Sequence, residues 1–121
     1  MSKFNSFEEI KSWIEARAFN KKIYEITEKG IFKKDYDLVR QIRRASISIS
    51  SNIAEGFERN TDKEFIYFLY VAKASSGEVR SQLYLALDLD YITKEEFTDL
   101  FDSISNISKL ISGFIKYLNK S

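Results

Sequence analysis

Apolar residues recur at three- and four-residue steps along the chain, in four stretches parted by short polar segments. Such steps keep side chains on one face of an α-helix, so the pattern predicts four helices. In the first stretch Ile10, Trp13, Ala16, Phe19, Ile23 and Ile26 form the stripe. The "KGIFKKDYD" behind it supplies a glycine stop and a charged loop, giving a helix over about 7–28. The third stretch carries Phe65, Phe68, Leu69, Ala72, Val79, Leu83 and Ala86, a helix over about 62–89. The fourth carries Phe97, Leu100, Phe101, Ile104, Ile107, Ile111, Phe114 and Leu118, a helix over about 94–118. Three of the stretches open with a Ser or Thr followed three residues later by Glu: Ser6 and Glu9, Thr61 and Glu64, Thr93 and Glu96. Each pair has the form of a capping box, in which hydroxyl and carboxylate satisfy backbone N–H groups that the first turn leaves unpaired.

The second stretch is ambiguous at close range, because "RRASISISSN" at 43–52 alternates Ser and Ile like a half-buried strand. A wider window shows Leu38, Ile42, Ala45, Ile49, Ile53 and Gly56 at helical steps, and no other strand is available as a pairing partner. The expectation is a helix over about 35–58. On it Ile47 and Ser51 point away from the core stripe, which suggests a second contact surface. The third helix doubles in the same way, with Ala74 and Gly77 on a separate face beside Tyr70, Ser81 and Tyr84. A lone Gly77 reads first as relief of crowding inside one bundle; two helices with second apolar faces point to an oligomer.

Composition agrees with long helices: there is no Pro and there are four Gly in 121 residues. Cys and His are both absent, which removes thiolate and imidazole metal sites and every Ser-His or Cys-His nucleophile. No phosphate-loop, dinucleotide or zinc spacing is present, and the acidic group Asp88, Asp90, Glu95 and Glu96 reads as solvated charge at a helix connection. The expectation is therefore no catalytic residue, no metal and no cofactor. The N-terminal segment has no apolar h-region and no run long enough to span a bilayer, so the location expected is cytoplasmic, without membrane contact. Net charge is +1, divided as 13 Lys/Arg against 10 Asp/Glu over residues 1–63 and 6 against 8 over 64–121.

Arg43-Arg44-Ala45, Ser48-Ile49, Asn52-Ile53-Ala54-Glu55-Gly56, Phe65 with Phe68-Leu69, Ala72, Ser75, Glu78 and Gln82-Leu83 together carry a resemblance. In order and spacing the chain resembles the bacterial four-helix-bundle proteins encoded within intervening sequences of large-subunit ribosomal RNA genes. It is also similar to the accessory variability proteins of diversity-generating retroelements. The resemblance implies an antiparallel up-down four-helix bundle that assembles as a homopentamer and binds RNA or DNA through basic surface. For the retroelement branch it further implies a reverse transcriptase as partner. Lys73-Ala74, where the family often has Arg-Gly, and Ser76, where it has a larger apolar residue, depart from the pattern.

Arg17, Lys21 and Lys22 on the first helix, Lys29, Lys33 and Lys34 near the loop, and Arg40 and Arg43 on the second are the candidate phosphate contacts. Arg17 with Lys21 and Arg40 with Arg44 would make two short basic stripes. In an antiparallel hairpin turning near Asn60, residues at equal height have numbers summing to about 120. Arg43 and Arg44 then stand near Ser76, Gly77 and Glu78, and Asn52 near Phe68. One arginine, assigned as Arg44, is expected to fork onto Glu78 and fix the helix register, leaving Arg43 for phosphate. Asn52, Glu55, Gly56 and Ser75 complete the structural motif. In the run "FIYFLY" the core stripe takes Phe65, Phe68 and Leu69, so Tyr67 and Tyr70 remain as the plausible exposed rings. The function expected is a non-enzymatic, oligomeric nucleic-acid-binding accessory protein; the rival is a protein-interaction scaffold.

Overall fold

The computed structural model describes residues 4–120, which form four α-helices and, among the described residues, no strand. They are α1 (Lys11–Thr27), α2 (Tyr36–Phe57), α3 (Asp62–Asp88) and α4 (Lys94–Asn119), with short 3-10 turns at Phe7–Glu9 and Phe32–Lys34.

The three expected capping boxes come out differently. Thr93 makes the full box: its hydroxyl accepts from the Glu96 N–H at 3.1 Å and the Glu96 carboxylate accepts from the Thr93 N–H at 2.8 Å. Thr61 accepts from the Glu64 N–H at 3.1 Å, but the Glu64 carboxylate meets the Thr61 hydroxyl rather than its N–H. Ser6 does not cap a helix. Phe7–Glu9 is a separate 3-10 turn and Ile10 stays extended, so α1 begins at Lys11, four residues later than the sequence suggests. Burial of Ile10 (2% exposed) and the edge contact of Phe7 with Trp13 hold the chain in that bend. A cap that the spacing did not reveal lies at α2, where the Asp35 carboxylate accepts from the Leu38 N–H at 3.1 Å.

Most positions of each apolar stripe are buried, while Trp13, Phe68, Phe97, Phe101 and Phe114 are partly exposed. Ile42, Ile49 and Ile53 of α2 have no exposure, whereas Ile47 is 39% exposed, so the Ser/Ile alternation is helical. Its serines serve α1. Ser46 donates to the Asn20 side-chain oxygen at 2.7 Å, and Asn20 donates in turn to the Ser50 hydroxyl at 3.0 Å. Two buried hydroxyls are thereby satisfied inside an apolar seam, where an unmade hydrogen bond costs about 1–3 kcal/mol.

α1 packs against α2 and α4, and α3 against α2 and α4, around one core. Along each seam one partner's number falls as the other's rises: Asn20 meets Ser46 and Thr27 meets Arg43; Ser48 meets Ser75 and Gly56 meets Phe65. Phe65 meets Phe114 and Tyr84 meets Phe97 and Phe101 in the same manner. At Gly56 α2 and α3 approach closely, since an added Cβ would lie 2.8 Å from both Phe65 Cδ1 and Phe68 Cβ. Gly77 does not relieve crowding, because a Cβ there would meet nothing within 4 Å.

Candidate nucleic-acid interface

Half of the cations expected to meet phosphate, Lys22, Lys33, Arg40 and Arg43, are occupied by the protein's own acids. Lys22 pairs with Asp99 at 3.4 Å and reaches Ser103 of α4 at 3.3 Å. Lys33 pairs with Glu28 at 3.9 Å and Arg40 with Asp37 at 3.1 Å. Arg17 lies over the Trp13 ring at 5.9 Å; Lys21, Lys29 and Lys34 are exposed and make no ion pair among the described residues. The outcome on α1 and the loop is a surface of alternating sign, in which exposed pairs contribute little energy and mainly cancel each other's field.

The arginine pair corrects the register expectation. Arg43, not Arg44, is the held one: it donates to Glu28 at 3.1 Å and to the Thr27 hydroxyl at 2.9 Å, with its guanidinium 4.1 Å from the Tyr24 ring centroid. Neither arginine forms an ion pair with Glu78, whose carboxylate accepts from Gln82 at 3.3 Å. The hairpin rule considers α2 and α3 alone, but α2 has two neighbours and Arg43 stands on its α1 side. Arg44 is exposed. On the α3 side, Asn52 donates to the Ser48 carbonyl and hydroxyl at 2.8 and 2.9 Å, and Ser75 donates to the same hydroxyl at 2.9 Å. Glu55 pairs with Arg59 at 3.2 Å, and that guanidinium covers Phe68 at 4.7 Å.

A basic site absent from the sequence reading lies between α3 and α4. Lys73 and Arg80 on one side and Lys109 and Lys116 on the other line an open groove of about 580 Å³, together with Ser105, Ser108, Ser112 and Gly113. No carboxylate lines it, and none of the four cations makes an ion pair among the described residues. Asp102, one turn before Ser105, is exposed and unpaired with Arg80. Other surface grooves mix signs: Lys22 and Lys29 share theirs with Glu25, Glu96 and Asp99, and Lys34 and Arg40 with Asp35 and Asp37. At about 1.5 Å rise per residue, the seven-residue steps from Lys73 to Arg80 and from Lys109 to Lys116 each span about 10 Å. Hydroxyls that donate and cations that are not neutralised are the groups that hold phosphate oxygens.

A helical projection could have found this groove. Lys73 and Arg80 differ by seven positions, as do Lys109 and Lys116, so each pair falls on one face of its helix. What hid it is the acidic balance of residues 64–121, four of whose six cations converge here. Among the described residues no group of His, Cys, Asp or Glu could hold a metal ion, and no helix is long and apolar enough to cross a membrane.

The family model described as 23S rRNA-intervening sequence protein matches residues 8–113. The chain belongs to this family. A solved structure similar to it is a protein of unknown function from the S23 ribosomal protein family of Bacteroides thetaiotaomicron, with a TM-score of 0.82 and 25% identity. That likeness covers 87% of this chain and 98% of the other. A search of curated proteins gives no match. The match of the 23S rRNA-intervening sequence family covers α1, α2 and α3 in full and α4 as far as Gly113, so both faces of the groove fall largely within it.

Proposed function

We propose that this 23S rRNA-intervening sequence family protein is a non-enzymatic nucleic-acid-binding accessory protein that holds phosphates in the α3–α4 groove. One observation carries the reading: four cations and three serines share a groove without a carboxylate, whereas the grooves that hold Lys22, Lys29, Lys34 and Arg40 carry acids as well. Arg17, Lys21 and Lys34 are auxiliary contacts at the periphery. The falling and rising partner numbers along each seam support an antiparallel up-down bundle. Assembly as a homopentamer would repeat the groove and turn modest single-site affinity into avidity.

The test is fluorescence-anisotropy binding of a structured RNA and a DNA duplex across a salt series. Three proteins are compared: the native chain, one with Gln at Lys73, Arg80, Lys109 and Lys116, and one with Ala at Arg17, Lys21, Lys22 and Arg40. Native binding should weaken steeply with salt, and the groove variant should show a shallower slope than the α1–α2 variant. Weak binding by all three, independent of salt, refutes the reading.

A second reading, a protein-interaction scaffold such as a reverse transcriptase partner, draws on the exposure of Tyr67 (64%), Leu85 (47%) and Ile47 (39%). Tyrosines with small neighbours such as Ala74 suit a protein contact. Pull-down of a partner abolished by Tyr67→Ala and Ile47→Ser, with nucleic-acid binding absent, would favour it.

A further inference from the structure

The geometry points to a single strand of nucleic acid as the occupant of the α3–α4 groove, its phosphates on Lys73, Arg80, Lys109 and Lys116 and one base stacked on Tyr70. This rests on the phosphate-binding reading above and names the class of ligand that the same groove takes. The first argument is the placement of charge. The cations stand on both walls of the seam, an arrangement that encloses one backbone from two sides. A duplex resting on the helix ridges would meet them from above.

The second argument is the ring. Tyr70 is 53% exposed and makes no ring contact among the described residues, unlike Tyr84, which is tilted against Phe97 and edge-on to Phe101, and Tyr67, which lies edge-on to Phe68. It stands one turn before Lys73 on α3, close enough for a nucleotide to use both. Across the seam, the pairing of Phe65 with Phe114 and of Tyr84 with Phe97 and Phe101 sets Tyr70 level with the stretch of α4 that runs from Lys109 to Ile115. Gly113 has no side chain, and a Cβ built there meets nothing within 4 Å. Gly113 leaves part of the α4 wall of the groove bare, and a flat base has room there.

A basic groove that follows a backbone beside an aromatic platform is the physical basis of sequence-tolerant single-strand binding. Stacking is insensitive to salt, while phosphate contact is not, so the two contributions separate experimentally. The probes are a short oligouridine, an abasic strand of the same length and a DNA duplex, each titrated across a salt series.

Native protein should bind oligouridine in preference to the duplex. Tyr70→Ala should weaken oligouridine binding about tenfold with the salt slope unchanged, Tyr70→Phe should bind like the native chain, and the abasic strand should not distinguish them. The four-Gln groove variant should instead flatten the slope by about 3, at roughly 0.7 per lost single-strand contact, and Arg at the same four positions should restore it. Melting curves of each variant identify any loss of fold. If Tyr70→Ala binds oligouridine as the native chain does, or the abasic strand binds equally well, while the groove variant still flattens the slope, the single-strand assignment is wrong and phosphate binding stands. If the native chain binds none of the probes, both fall together.

Discussion

The two sides of α2 and the seam between α3 and α4 are built from similar residues to opposite ends. On α2, charge and hydroxyl groups are consumed by the bundle: Arg43 by Glu28 and Thr27, Ser46 and Ser50 by Asn20, Ser48 by Asn52 and Ser75. Between α3 and α4 the middle of the seam keeps its cations and most of its serines uncommitted. The half of the chain with the positive balance is the more neutralised in space, and the half with the negative balance holds the unneutralised groove. A net charge along sequence therefore says little about where a field survives; the placement of each acid decides it.

Substitutions that probe packing should separate the two regions most strongly. Gly56→Ala puts a methyl within 2.8 Å of the Phe65 ring and of Phe68 Cβ, and the latter, being next to the backbone, cannot swing away. The helices must move apart, and the expected loss is about 3 kcal/mol, at the upper end for overpacking. A urea titration giving an unchanged midpoint would mean that α2 and α3 are less closely engaged than the geometry has it. Arg43→Ala follows at about 2 kcal/mol, since it removes a charge-assisted hydrogen bond and a cation–π contact from a half-buried group. Lys73→Ala and Lys109→Ala should stay within about 0.5 kcal/mol of native in the same titration. Equal costs for Arg43 and Lys73 would abolish the contrast between committed and uncommitted cations.

Gly113→Ala should have the opposite sign. Its site is helical and open, so the substitution is expected to stabilise by about 0.5–1 kcal/mol through helix propensity alone. Thermal melts of Gly113→Ala and Gly56→Ala, run together, read the closed and open seams against each other. Destabilisation by both would place a neighbour against Gly113 that the monomer lacks, and a concentration-dependent midpoint would identify it as a second copy.

Much of this architecture is legible in the sequence, because burial of an amphipathic stripe dominates local preference. Ile42, Ile49 and Ile53 override the β-like alternation at 43–52, and Leu100, Ile104, Ile107, Ile111 and Leu118 of α4 are buried as their spacing predicts. What period alone cannot give is azimuth among several neighbours. The hairpin rule placed Asn52 on the α3 side, yet it put an arginine on Glu78 because it gave α2 one partner where the fold gives two. The start of α1 was misplaced for a related reason: Ser6 and Glu9 have the spacing of a box, but the demand of Ile10 for the core bends the chain first. The groove is not legible because its cations come from two helices, 29 to 43 positions apart, each unremarkable alone.

The smallest effect tests whether the commitment of polar groups on α2 extends to its N-terminus. There the Asp35 carboxylate caps α2 with one oxygen and with the other accepts from the Tyr91 hydroxyl at 2.9 Å, fastening the α3–α4 connection to α2. That hydrogen bond, then partial burial and the nearby carboxylate charge, raise the Tyr91 pKa above the ordinary 10.0. A phenol whose pKa is raised on folding contributes stability that is fully present below about pH 10 and is lost as pH rises through the folded value. Native protein should thus exceed Tyr91→Phe in stability by a constant margin near neutrality, and the margin should shrink at alkaline pH. Urea titrations of both proteins at about pH 8 and pH 11 check this. A margin that persists to the higher pH would show that Tyr91 contributes through its ring, stacked on Phe32 at 5.2 Å, and that the capping carboxylate serves α2 alone.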